Sequence, residues 1–258
     1  MDIKSRILRS LDEIEEKENV RIIHCAESGS RAWGFASPDS DYDVRFIYVR
    51  RVKDYLRINE LRDVIEWELN DVYDINGWDL KKALTLLQSS NCTLFEWNSS
   101  PIIYRSTPEW QRISAVIDEY FVDKPGTYHY LSTAKHNYRA YFGSDEVKLK
   151  KYFYVLRPIL ACRYILEKKC PPPMLFSELE EMYLTGEVKR ETDRLLALKM
   201  QTPEIGKGSR VPILDEYIEK SMAEIEEILA SMPVSHKNDI ERLNDIFYET
   251  ACSQSLEE

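Results

Sequence analysis

The sequence predicts an α+β protein in two parts: a small mixed sheet with flanking helices over residues 1–100, and an all-helical part over residues 101–258. Three observations predict it. Val20–Ala26 and Val44–Val49, both rich in β-branched and aromatic residues, flank a Gly-Ser turn. Val64–Leu69 and Val72–Ile75 alternate about the turn Asn70-Asp71 and read as a hairpin. Past Ser99-Ser100-Pro101 the apolar period is helical nearly throughout.

In order along the chain, Ile3, Ile7, Leu8, Leu11 and Ile14 form one stripe, which predicts a helix over residues 3–18 packed on the sheet. A polar excursion with a short helix at residues 50–56 separates the second strand from the hairpin. Asp79 reads as the N-cap of a helix running to Leu87. Helices follow at Pro108–Glu119, Tyr128–Phe142 and Asp145–Lys168, the last with Pro158 inside and Pro171-Pro172-Pro173 as its stop. Glu178–Tyr183, Glu187–Met200, Ile213–Ser231 and His236–Thr250 complete a bundle, with Gly206–Ser209 a loop.

The chemistry concentrates in Glu27–Val49, ESGSRAWGFASPDSDYDVRFIYV. Gly29 lets the backbone turn and approach a ligand closely, and Ser30 offers a hydroxyl and an N–H to phosphate oxygens, with Arg31 beside it. Pro38, Asp39 and Ser40 form the turn into the second strand. There Asp41 and Asp43, two residues apart, are expected on one face, where two carboxylates call for a positive partner. Hard oxygen ligands suit Mg2+ or Mn2+, which share their remaining positions with substrate phosphates. Arg45 lies on the same face, to neutralise the acids or to meet a phosphate. Asp74, on the hairpin, is the expected third acid; Glu66, Glu68 and Asp71 compete for that role.

A second cluster lies on the helix LKKYFYVLRPILACRYIL. Lys150, Tyr154 and Arg157, together with Lys151 and Tyr152, fall within one or two turns of each other, so this face either holds a nucleotide, with Lys151 and Arg157 as the expected contacts, or lines the core with tyrosines while its bases stay solvated. Lys135, His136 and Arg139 on the preceding helix are weaker candidates.

Taken together, ESGSRAWGFASPDSDYDVRFIY, DINGWDLKKAL, SSNCTLFEWNSSPIIY and KKYFYVLRPILACRYI resemble one branch of the DNA polymerase β-type nucleotidyltransferases, the predicted members associated with RNA repair. The resemblance runs from about residue 22 to residue 175. It implies a catalytic domain of polymerase β type followed by a helical nucleotide- and acceptor-binding domain. It implies metal positions at Asp41, Asp43 and Asp74 and a phosphate-binding pair at Gly29 and Ser30, and it raises Lys151 and Arg157 as nucleotide contacts.

The expected activity is transfer of a nucleoside monophosphate from an NTP, ATP included, to an acceptor hydroxyl. An RNA 3′ end is the leading acceptor; a protein side chain or small molecule is the alternative, and a non-enzymatic nucleotide sensor a third reading. The 35 basic and 45 acidic residues leave a net charge of −10, which opposes unspecific attachment to a polyanion, so an RNA acceptor requires a local basic patch. Lys148, Lys150, Lys151, Arg157 and Arg163 are the candidates for it. No apolar run is long enough to span a bilayer. Five cysteines without Cys-x-x-Cys spacing suggest reduced thiols, a cytoplasmic location and no zinc site.

Overall fold

The computed structural model describes residues 2–70, 72–201, 206–233 and 239–254. Contacts divide the chain into two units, and each is described by itself. The first contains Met1–Gly29, Asp41–Tyr120 and Lys237–Glu258; the second contains Ser30–Ser40 and Phe121–His236.

The first unit is built on five strands, β1 (Arg21–Glu27), β2 (Tyr42–Val49), β3 (Val64–Leu69), β4 (Tyr73–Asp79) and β5 (Ile103–Ser106), in the order β3-β4-β2-β1-β5. β2 and β4 run parallel and every other pair is antiparallel. Helix α1 (Ile3–Glu18) starts because Asp2 accepts the Ser5 N–H at 2.7 Å, and it ends where Asn19 turns left-handed. Its buried Ile7, Leu11 and Ile14 pack with Ile22, Val44, Phe46, Tyr48 and Ile75 of the sheet. Those positions alternate along β2, so Asp43, Arg45, Ile47 and Val49 face the other way. Gly77 lies opposite Phe46 in register, and a Cβ there would come within 2.2 Å of the ring. That contact requires glycine.

Short helix α2 (Gly29–Ala32) follows β1, and α3 (Val52–Tyr55) follows β2. Asp79 caps α4 (Leu80–Gln88) by accepting the Lys81 N–H at 2.8 Å, and Asn91 caps α5 (Cys92–Asn98) in the same way through Thr93. Residues 101–120 stay with the sheet: β5 pairs with β1, and Thr107 caps α6 (Pro108–Ile117). Ser100, expected near a boundary, is buried and donates to the Glu27 carbonyl at 2.6 Å.

The second unit holds α7 (Asp123–Tyr141), β6 (Glu146–Lys148), α8 (Lys151–Lys168), α9 (Phe176–Tyr183), α10 (Gly186–Gln201), β7 (Lys207–Ser209) and α11 (Pro212–Ser231). Two expectations are corrected here. The helix expected from Asp145 begins only at Lys151, because residues 146–148 form a strand that pairs with the supposed loop at 207–209. Glu146, Val147 and Lys148 alternate, and only Val147 is buried. The last helix, α12 (Ile240–Gln254), also departs from expectation: it belongs to the sheet unit, where Phe247 meets Tyr55 edge-on at 4.9 Å and Arg242 pairs with Glu119. The expected start of that helix, His236, lies outside the described residues. Among the described residues no helix is long and apolar enough to cross a membrane.

His24 on β1 stacks on Trp110 with ring centroids 4.4 Å apart, and its Nε2 donates to the Trp97 carbonyl at 3.1 Å. Burial holds its pKa down to about 4. The folded protein therefore keeps His24 neutral while the unfolded chain takes up a proton below about pH 6.5, so stability falls as pH drops from there toward 4. In urea titrations, His24→Gln should remove about 2 kcal/mol of the stability lost between pH 6.5 and pH 5. Identical pH slopes in the two proteins would refute this.

Candidate active site on strands β2 and β4

Parallel pairing sets Asp43 and Asp74 side by side as register partners. Both point to the sheet face away from α1. Between them sits Arg45, whose Nη2 reaches Asp43 Oδ1 at 3.1 Å and Asp74 Oδ2 at 2.6 Å while Nη1 donates to the Asp74 carbonyl at 2.6 Å. Asn76 donates to the remaining Asp74 oxygen, Oδ1, at 3.0 Å. The positive partner that two adjacent carboxylates require is thus a guanidinium from the same strand.

Glu27, fully buried at the end of β1, governs where Asp43 stands. Its Oε1 accepts the Asp43 N–H at 2.8 Å, and its Oε2 accepts the Tyr104 hydroxyl at 2.5 Å. Burial and the Glu27 carboxylate push the Tyr104 hydroxyl pKa far up, so it stays a donor. The Ser28 N–H donates to the Asp43 carbonyl at 2.8 Å, completing the clasp. Gly29 follows at φ +59, and a Cβ on it would lie 1.9 Å from Asp43 Oδ2. Only glycine permits that approach of backbone to carboxylate.

The other expected site residues fall as follows. Asp41 precedes β2, whose first residue is Tyr42, and is exposed, so strand alternation does not reach it. Among the described residues no three His, Cys, Asp or Glu side chains are grouped to hold a metal ion. Ser30 and Arg31 belong to the second unit. There Ser30 Oγ donates to Ser40 Oγ at 3.1 Å, Ser37 shares Ser40 Oγ, and Arg31 Nη2 donates to the Ser40 carbonyl at 2.5 Å. Of the competitors to Asp74, Glu66 pairs with Arg62 and Glu68 with Arg6, while Asp71 lies outside the described residues.

On α8, Lys151 Nζ lies over the rings of Tyr141 and Tyr154 at 3.9 and 4.6 Å. Tyr154 meets Trp33 edge-on, and Arg157 lies 4.7 Å from the Trp33 ring centre. Arg157 is only 2% exposed and donates to the Met174 carbonyl. Arg163 is engaged with Ser221 and Glu224. The solvated basic face envisaged for this helix is therefore not formed by Arg157. Sequence reasoning missed Glu27, Tyr104 and Asn76 as site residues; Asn76, two residues after Asp74 on a strand, carried the one local signal.

Comparison with known proteins adds to this geometry. The profile of RlaP, described as the RNA repair pathway DNA polymerase beta family, matches residues 3–249. The chain belongs to this family. An "Uncharacterized protein YcgL" of Bacillus subtilis (strain 168) is 40% identical over 250 residues, covering 96% of each chain. A solved nucleotidyltransferase-like protein from Exiguobacterium sibiricum 255-15 matches 89% of this chain and 75% of its own at 13% identity, with a TM-score of 0.31, a superposition too loose to argue from. Family membership makes the chain a polymerase β-like nucleotidyltransferase.

Gly29→Ala should destabilise the fold by about 1–3 kcal/mol, from left-handed strain and the Asp43 clash together. Gly143→Ala, with nothing near its added Cβ, should stay within about 0.5 kcal/mol of wild type. Equal denaturation midpoints for both variants would contradict the close approach.

Proposed function

We propose that the chain is a divalent-metal-dependent transferase that moves a nucleoside monophosphate from an NTP to an RNA 3′ hydroxyl. The observation that carries this reading is the register pairing of Asp43 with Asp74 beside Gly29. The donor set fits Mg2+ or Mn2+: hard carboxylate oxygens on adjacent strands, already balancing one cationic group. Asp43 and Asp74 would hold the metal, which when bound would lower the pKa of the acceptor hydroxyl and neutralise triphosphate charge.

The chain's own groups do the rest. Gly29, whose backbone lies against Asp43, would offer its N–H to phosphate oxygens. Asp74, oriented by Asn76 and Arg45, takes the proton of the attacking hydroxyl. A bond forms from that oxygen to the α-phosphorus as the bond to the β-phosphate oxygen breaks, and pyrophosphate leaves. Glu27 keeps Asp43 in place and touches no substrate. The free cysteines accord with a cytoplasmic enzyme.

One observation favours a second reading of the acceptor. A net charge of −10 suits a protein side chain or small molecule better than a polyanion. Steep loss of acceptor binding with rising salt would mark RNA, and a flat response would mark the alternative.

Asp43→Asn should lower pyrophosphate release from NTP by a factor of about 100 or more, with the fold intact by circular dichroism. Unchanged release would end the proposal. Arg45 shares its carboxylate oxygens with any bound cation, so Arg45→Ala should tighten Mn2+ binding in calorimetry by a factor of about 5–10. Weaker Mn2+ binding in that variant would show that the guanidinium does not compete.

A further inference from the structure

A cavity of about 830 Å3 opens between α7 and α11 within the second unit. Lys124, Tyr128, Lys135, His136 and Arg139 line it from α7, and Glu226 from α11. The α7 residues recur at intervals of four and seven, which places Lys124, Tyr128, Lys135 and Arg139 along one face of the helix. Three permanent cations thus meet one acid, on a chain that is net acidic. The acid is already matched, because Lys135 Nζ lies 2.6 Å from Glu226 Oε2. Lys124 Nζ donates to the Met232 carbonyl at 2.6 Å, a neutral partner that fixes the ammonium and leaves its charge uncompensated.

The remaining chemistry narrows the ligand. Buried Leu131 and Leu229 make an apolar floor, and Tyr128 stands 68% exposed above it. An exposed aromatic ring beside spaced cations is the combination on which nucleobases stack while their phosphates are paired. Lys124 and Arg139 are 15 residues apart in sequence, or about 22 Å along the helix axis, a span that favours a strand of several nucleotides over one mononucleotide. Of the residues expected from sequence to form the basic patch, Arg157 is withdrawn by burial and Arg163 by its pairing with Glu224.

We infer that the α7/α11 cleft binds single-stranded nucleic acid, with a base stacked on Tyr128 and backbone phosphates paired to Lys124 and Arg139. Its use to hold an acceptor strand rests on the nucleotidyl-transfer reading; the binding itself does not.

The test is fluorescence anisotropy of the full chain with a labelled single-stranded RNA of about 12 nucleotides, without metal or NTP. Tyr128→Ala combined with Arg139→Glu should weaken binding by a factor of about 10 or more and make the slope of log K against log salt shallower by about 1–2. Its thermal unfolding should match wild type. Asp43→Asn should bind the strand like wild type, so a failure of the catalytic reading, seen in pyrophosphate release, is separable from a failure of this one. The inference is overturned if the double variant binds RNA as wild type does, if wild type fails to bind at low salt, or if an acidic peptide displaces the strand as well as unlabelled RNA does.

Discussion

Parallel pairing of β2 with β4 is the constraint from which the rest follows. Two aspartates brought level on neighbouring strands, about 4.8 Å apart, repel by about 3 kcal/mol at an effective dielectric of 20, before screening by solvent. A pair so placed is stable only with a cation between its members, and Arg45 supplies one from within the strand. Buried Glu27 completes the arrangement through the backbone, holding the Asp43 N–H from the neighbouring strand β1.

A separate set of forces fixes the segment between the two Asp-bearing and Gly-Ser ends of the motif. Phe35 is buried against Phe153 and Phe176, its carbonyl accepts from Lys199 Nζ at 2.6 Å, and the Trp33 carbonyl accepts the Phe176 N–H at 2.9 Å. Burying the Phe35 ring and satisfying two backbone carbonyls makes this stretch part of the helical unit's core. Ser30 begins the stretch and Ser40 ends it, and their hydroxyls are joined.

Local features were legible in the sequence. The α1 stripe, the Asp79 cap, the hairpin and the strand over Val44–Val49 each depend on residues a few positions apart, which is what periodicity and capping rules read; Asp41, expected on the same strand face as Asp43, instead precedes the strand. The family-level activity was legible as well, from the Gly-Ser and Asp-x-Asp blocks. Partners distant in sequence were not. Glu27 reaches Asp43 and Tyr104 across three strands, β6 finds β7 some sixty residues later, and α12 returns to the sheet from the far end of the chain. Arg45 was readable as a cation on the carboxylate face, but its two-pronged contact depends on the side-by-side register of β2 and β4, which strand propensity does not encode. The cleft on α7 was hidden for a related reason: its basic residues look like any solvated helix face until α11 is in place.

The backbone passes between its two units four times, and neither unit is one continuous length of polypeptide. A gene cut at residue 120 would yield a sheet lacking α12 and its Phe247 and Arg242 contacts, and a helical remainder lacking the Phe35 plug. Each fragment would lack part of its own packing, and ribosomal synthesis must reach the final helix before even the amino-terminal sheet acquires its full complement of neighbours.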